Sequence, residues 1–213
     1  MGFFSFSGSK SNYSDKVWKA SSFCLKGMIT DALQLIKSGE APVILSHFQE
    51  SQERVIQFLQ TNGVPHFIVE KGNESEATNQ SNVVFVVDWK MKGSLELLNF
   101  LTVILKKSKA HLLIFGHYPL PSKENRQLNQ LWVIQSPLPK TFYSSLDEPS
   151  FQIFNSENIV TLMEKLGMKD EEAINHALVT KAMERAREKI ESKVKLEQEA
   201  TSEKEWFQKN MRP

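Results

Sequence analysis

Val83-Val84-Phe85-Val86-Val87 is five consecutive β-forming apolar residues, set between the polar, aperiodic stretch 72–82 and Asp88. A run with no alternation suits a strand covered on both faces, and it reads as the centre of a mostly parallel sheet. Working outward, the same grammar repeats. On the N-terminal side lie His66-Phe67-Ile68-Val69, a helical pattern from Ser51 to Asn62 closed by Gly63, and Val43-Ile44-Leu45. On the C-terminal side, Gly93 to Lys107 is apolar on most sides and long enough for a buried helix, and His111 to Phe115 is a further strand. Strands alternating with helices are the mark of βα units. Pro119 and Pro121 predict an irregular 116–122, and Leu131 to Ile134 and Lys140 to Ser145 read as two more short strands around Pro137 and Pro139. The first helix is expected to start at the cap-like Ser14-Asp15 and to stop at Gly39, leaving residues 1–13 as a loose arm.

Near the C-terminus, Leu162-Met163-Glu164-Lys165-Leu166-Gly167-Met168 reads as a short apolar helix closed by its glycine. Asp170-Glu171-Glu172 place negative charge where a second helix starts. Along it Ile174, Leu178, Ala182, Ala186, Ile190 and Val194 recur every four residues, a narrow stripe expected to lie on the globular part or on a partner. Trp206-Phe207, in a charged tail, reads as an exposed anchor. The expected organisation is therefore an arm (1–13), an α/β domain (14–168) and one long scaffold-like helix (169–213).

Composition narrows the function. The chain has 213 residues, 26 basic and 25 acidic, net charge +1, so no global charge draws it to nucleic acid or an anionic membrane. A single cysteine, Cys24, excludes a disulfide framework and a thiolate metal cluster. Met1 to Phe6 is too short for a signal-peptide core, and no run of about eighteen apolar residues follows. These features predict a soluble, cytoplasmic chain with no transmembrane segment.

The wording of the 162–182 block, leucine-methionine, leucine-glycine-methionine, an acidic cluster and Val179-Thr180-Lys181-Ala182, resembles the end of the second nucleotide-binding lobe of SecA, the ATPase motor of bacterial preprotein translocation. Gly39-Glu40-Ala41-Pro42-Val43-Ile44-Leu45, Gly63-Val64-Pro65-His66 with Glu76-Ala77, Gln127-Leu128, and Phe142 to Glu148 are similar to further segments of that lobe. The resemblance implies a RecA-like fold, the helicase C-terminal lobe of the P-loop NTPase type. It also exposes departures. Lys90-Met91-Lys92-Gly93-Ser94-Leu95 stands where the family has alanine-glycine-arginine-glycine-threonine-aspartate, and the run from Gln127 to Gln135 lacks every arginine of the family's last helicase motif. No phosphate loop, glycine-four residues-glycine-lysine-(serine or threonine), occurs in the chain. Arginines that stabilise charge on a transferring phosphoryl group contribute on the order of a thousand-fold or more in rate. The expectation is a non-enzymatic, degenerate lobe: no cofactor, no metal, and a protein partner such as SecA, another Sec component or a preprotein. It would reach the inner membrane only peripherally through that partner, or pair with a second copy through the C-terminal helix.

An alternative rests on strand ends. His47, Asp88 and His117 follow three predicted strands, where open α/β sheets gather ligands, and two imidazoles and a carboxylate can bind metal or run acid–base chemistry. The plainer reading, ordinary polar groups at strand ends, is preferred because no HxH or HExxH spacing accompanies them. Lys92-Gly93-Ser94, opening a helix, is a candidate anion or nucleotide remnant through its backbone N–H groups. The interaction candidates are Ile174, Leu178, Ala182, Ile190, Trp206 and Phe207.

Overall fold

The computed structural model describes residues 13–134, 138–152, 161, 168–174 and 177–211, with the side chains of 13, 132, 133, 152, 177 and 178 excepted. Six strands form one all-parallel sheet: β1 (Tyr13–Trp18), β2 (Ala41–Ser46), β3 (His66–Val69), β4 (Val84–Val87), β5 (Ala110–Phe115) and β6 (Lys140–Ser145). Their spatial order is β1-β6-β5-β2-β4-β3. Around them run α1 (Ser21–Lys37), α2 (Gln49–Thr61), the short α3 (Glu74–Ala77), α4 (Leu95–Lys107), α5 (Pro121–Asn129) and α6 (Pro149–Gln152). Two further helices follow near the C-terminus, α7 (Ala177–Lys193) and α8 (Glu203–Asn210).

The pleat divides the apolar strands between two cores. Val43 and Leu45, Phe85 and Val87, and Leu112 and Ile114 join Leu97, Phe100 and Leu101 of α4 on one face. Ile44, Val84, Val86, Leu113 and Phe115 join Met28 and Ile29 of α1 and Val55 and Leu59 of α2 on the other. Covering both faces is why these strands carry so few polar residues. β4 is not the centre: β5 and β2 are, and β4 lies between β2 and the edge strand β3. Any strand with neighbours on both sides and helices on both faces must be apolar, so a continuous run cannot tell second from third place.

Three local expectations need correction. Residues 14–18 form an edge strand on β6 rather than the first turn of a helix, with Asp15 turned inward instead of capping. Val17 is bridged on its outer side by Ile174, with Val17 N–H to Ile174 O at 3.0 Å and the return bond at 2.7 Å. Trp18 then lies stacked over Tyr143, and its ring passes so close to Gly27 on α1 that a Cβ there would sit 2.3 Å from it. Gln130–Val133 is a 3₁₀ turn continuing from α5, not a strand, with Leu131 in the α4-side core. Pro121 occupies the first turn of α5, where its missing N–H costs nothing, so the second proline begins a helix instead of forbidding one.

Among the described residues, the segment expected as one long helix over 169–213 holds two helices, separated by residues 194–202, that fold back on the domain. A strict four-residue repeat drifts by about 40° per step on a 3.6-residue helix. The buried face of α7 is accordingly Val179, Met183, Ala186 and Ile190, while Ala182 is exposed. Ser202 starts α8, its Oγ accepting from Glu205 N at 3.1 Å. Trp206 and Phe207 are not exposed anchors: they pack with Ile190 on Phe48, Tyr118 and Leu120 beyond the carboxyl ends of β2 and β5. Ile174 and Ile190 are likewise buried within the chain. The side chain of Leu178 and residues 162–167 lie outside the described residues.

Candidate functional site

His47 follows β2 and His117 follows β5, and because these strands are neighbours the two imidazoles converge, as their strand positions suggested. Asp88 does not join them. Its Oδ1 accepts from Lys90 N at 2.7 Å and caps the 3₁₀ turn Trp89–Met91. The groups that do join come from elsewhere: Asp15 of β1, Glu124 of α5 and Arg187 of α7.

Glu124 is the hub. Its carboxylate accepts from Tyr118 N at 2.7 Å and from Arg187 Nη2 at 2.6 Å, and it faces His117 Nδ1 at 3.2 Å and His47 Nε2 at 3.1 Å. Burial would push this carboxyl up, but the charges of His117 and Arg187, with the two imidazoles close beside it, outweigh it and hold it well below the usual range. His117 stacks on Phe142, and its Nε2 lies 3.3 Å from Asp15 Oδ1. Burial and the Arg187 charge favour its neutral form, yet Glu124 and Asp15 win and raise its pKa. Arg187 also donates from Nε and Nη2 to the carbonyl of Tyr118, at 3.0 and 2.9 Å. The Glu124 carboxylate is thus matched by the Arg187 guanidinium, with the His117 ring between it and Asp15, the kind of pairing that makes a buried charge tolerable inside a protein. The cluster ties β1, β2, β5, α5 and α7 together, and its partners are already committed to one another.

His47 differs. Its side chain is 5% exposed, and neither ring nitrogen makes a well-directed hydrogen bond among the described residues. Burial lowers its pKa to about 4, against the pull of Glu124. The unfolded imidazole titrates near 6.5. Between these values the unfolded chain takes up a proton that the folded one refuses, so this contribution to stability is fully present above about 6.5 and is lost as the pH falls toward 4. The loss is on the order of 3 kcal/mol. In urea titrations across that window, His47→Gln is expected to flatten the acid slope. An unchanged slope would place the acid sensitivity elsewhere.

The predicted anion remnant also looks different in three dimensions. Ser94 Oγ accepts from Leu97 N at 3.1 Å, so a side chain already serves the start of α4. Gly93 adopts φ 71°, and a Cβ there would sit 2.5 Å from Gln130 Oε1, which explains the glycine without a ligand. Lys92 instead reaches into an open cavity of about 430 Å³, lined by His47, Phe48, Trp89, Lys90, Tyr118, Lys123, Gln127 and the tail residues Glu199 and Ala200. Its Nζ donates to the carbonyl of His47 and lies 5.8 Å from the Trp89 ring centre and 5.7 Å from that of Tyr118. Nearby, Glu197 ties the tail to the domain: it holds Lys123 at 2.7 Å and Trp206 Nε1 at 2.9 Å and accepts from Tyr118 Oη.

Arg187 and Glu124 were not legible as site residues. Arg187 was hidden in a charge-rich helix, although it sits four residues after Met183 and three before Ile190, on the buried face. Glu124 was masked by the prolines before it, although Pro121 at a helix start was the available signal.

The SecA of Pelagibacter ubique is 26% identical over 206 residues, covering 86% of this chain and 24% of its own length. That of Halothermothrix orenii is 23% identical over 185 residues, covering 84% and 22%. The chain is similar to part of SecA. A shorter match, to SecA of Acidithiobacillus ferrooxidans, reaches 54% identity over 52 residues, 24% of this chain and 6% of that one. The chain therefore spans about a quarter or less of the SecA proteins it matches. No protein-family model matches it. A solved structure, the C-terminal part of the Fun30 ATPase domain, superposes with a TM-score of 0.45 at 12% identity, covering 81% of this chain and 56% of that one. The sheet is six-stranded, all parallel and flanked by helices, as the RecA-like fold class expected from the sequence requires. No helix among the described residues is long and apolar enough to cross a membrane.

Proposed function

We propose that this chain works without ATP turnover, as a protein-interaction or regulatory component linked to bacterial preprotein export, with SecA or another Sec component as its partner. The observation that carries the reading is a SecA-like lobe whose carboxyl edge, the ligand edge of open α/β sheets, is occupied by the chain itself. Trp206 and Phe207 cover it, and Arg187, the arginine buried there, is spent on Glu124 and the Tyr118 carbonyl. The positions that differ from the family fit the same reading. Lys92 replaces the motif's charge pattern, and Leu131 is a core residue where a motor needs a donor to a developing anion.

With magnesium ATP, the purified chain is expected to release no phosphate above the buffer rate. Mixed with SecA purified from its own source organism in low salt, it is expected to co-migrate on gel filtration or to change the SecA ATPase rate. Nucleotide turnover that copurifies with the chain, or neither effect on SecA at micromolar concentration, would overturn the proposal.

A further inference from the structure

We propose that the returning tail is a proton-gated latch: two carboxyls that line one small cavity, Glu148 and Glu203, keep α8 docked while at least one of them is protonated and loosen it when both are charged. Three observations converge on it. First, Glu203 opens α8 and Glu148 stands just before α6, and both line a cavity of about 40 Å³. Each residue is partly buried, and each carboxyl is tied to a buried serine. Glu148 Oε1 accepts from Ser145 N at 2.8 Å, and Glu203 Oε1 accepts from Ser150 N at 3.2 Å and from the Ser150 hydroxyl. Second, neither carboxyl has an ion-pair partner among the described residues. His47 and His117 are directed at Glu124 and Asp15, Arg187 at Glu124, and Arg54 at Ser21 Oγ and the Phe115 ring. Two carboxyls placed together without a counter-charge resist ionising together. Third, the tail is separable. The eight-residue α8 follows the non-helical 194–202 and docks through Trp206 and Phe207, so its opening uncovers Phe48, Tyr118 and Leu120 without breaking the sheet.

The groups around the pair set the pH behaviour. Burial first, and then the Glu203 charge, hold Glu148 above the usual carboxyl value; Asp147 adds to this, while the Ser145 N–H and His117 oppose it. Burial likewise raises Glu203, against the Ser150 bonds and the charges of His117 and Arg187. His47 and Arg54 also line the cavity, and burial keeps the His47 ring neutral. Cys24 of α1, which feels the Glu148 charge, is held neutral by burial as well. A carboxyl raised in the docked state contributes stability that is fully present below its ordinary 4.5 and is lost as the pH rises through the raised value, here toward about 8. The tail should therefore be tightest in acid and loosen through neutrality, opposite in sign to the contribution of His47. The latch is independent of the partner reading above, since neither SecA binding nor ATP turnover enters it.

Peptide-level hydrogen exchange of the intact chain at pH 5.5 and 8.5, expressed as protection relative to the intrinsic exchange rate at each pH, tests the latch. Protection of 203–210 is expected to fall about tenfold or more between the two, since each unit by which docking raises a carboxyl is worth a factor of ten, while β2 and β5 keep theirs. Glu148→Gln and Glu203→Gln should each shrink the fall, because one charge no longer meets another, and the double variant should erase it. Far-UV circular dichroism of the variants at both pH values checks the fold. Protection of 203–210 in the parent that is flat or rises with pH, a fall shared equally by β2 and β5, or a dependence that survives in the double variant would each overturn the latch.

Discussion

Arg187→Met is expected to destabilise the fold by about 3–5 kcal/mol, the usual cost of removing one partner from a buried ion pair. The side chain is 5% exposed and Glu124 is 4% exposed, so water cannot replace the lost donor. The variant strands more than one group: Glu124 loses its 2.6 Å contact, and the Tyr118 carbonyl loses two donors. Arg187→Lys should recover only part of this, since one ammonium cannot span the carbonyl, the carboxylate and the His117 ring that the planar fork reaches together. The sign with pH is also fixed. Arg187 is one of the groups that hold the Glu124 carboxyl down, and a depressed carboxyl contributes stability above its unfolded value of 4.5 that disappears as the pH falls. The gap between parent and variant should thus be widest above about pH 4.5 and narrow below it. Urea unfolding at several pH values measures it, and a loss below about 1 kcal/mol would show that the cluster does not hold the fold together.

Trp206→Ala should cost about 3–5 kcal/mol, the range for truncating a buried tryptophan. Trp206 has no exposed surface, meets Phe207 and Tyr118 edge to face at 5.1 and 6.3 Å, and donates from Nε1 to Glu197. Its removal empties the centre of the tail contact and frees Glu197 from one of its three partners. α8 has only eight residues, too few to persist as an isolated helix, so its order depends on this contact. Peptide-level hydrogen exchange should show 203–210 losing protection while β2 and β5 keep theirs. Full protection of α8 in the variant would mean that other contacts dock it.

The pattern in the chain made much of this fold readable. Val43 to Leu45, His66 to Val69, Val84 to Val87, His111 to Phe115 and Lys140 to Ser145 are strands where local composition places them, and α2 and α4 follow from their periodicity and end signals. The family wording of 39–45, 63–66 and 142–148 pointed to the same lobe. Misread elements were those whose local signal has two outcomes. Ser14-Asp15 is a good helix cap and also an acceptable edge strand, and pairing with β6 decided the matter. Leu131 suits a strand or a turn, and the preceding helix carried it into the turn.

The candidate site was half legible. His47 and His117 could be placed at one edge because residues after parallel strands share that edge, but Asp88 occupies the same edge and still turns to its own backbone. What the sequence determined by itself was the alternation of strands and helices, their two-faced burial and the relationship to a SecA lobe, because these depend on neighbours a few residues away. Tertiary structure alone decided that Arg187 meets Glu124 across 63 residues, that Asp15 faces His117, and that Trp206 folds back onto Tyr118. Those pairings are set by strand order and by how the tail returns. A buried charge is tolerated only where its partner arrives, and no local pattern records which distant group that will be.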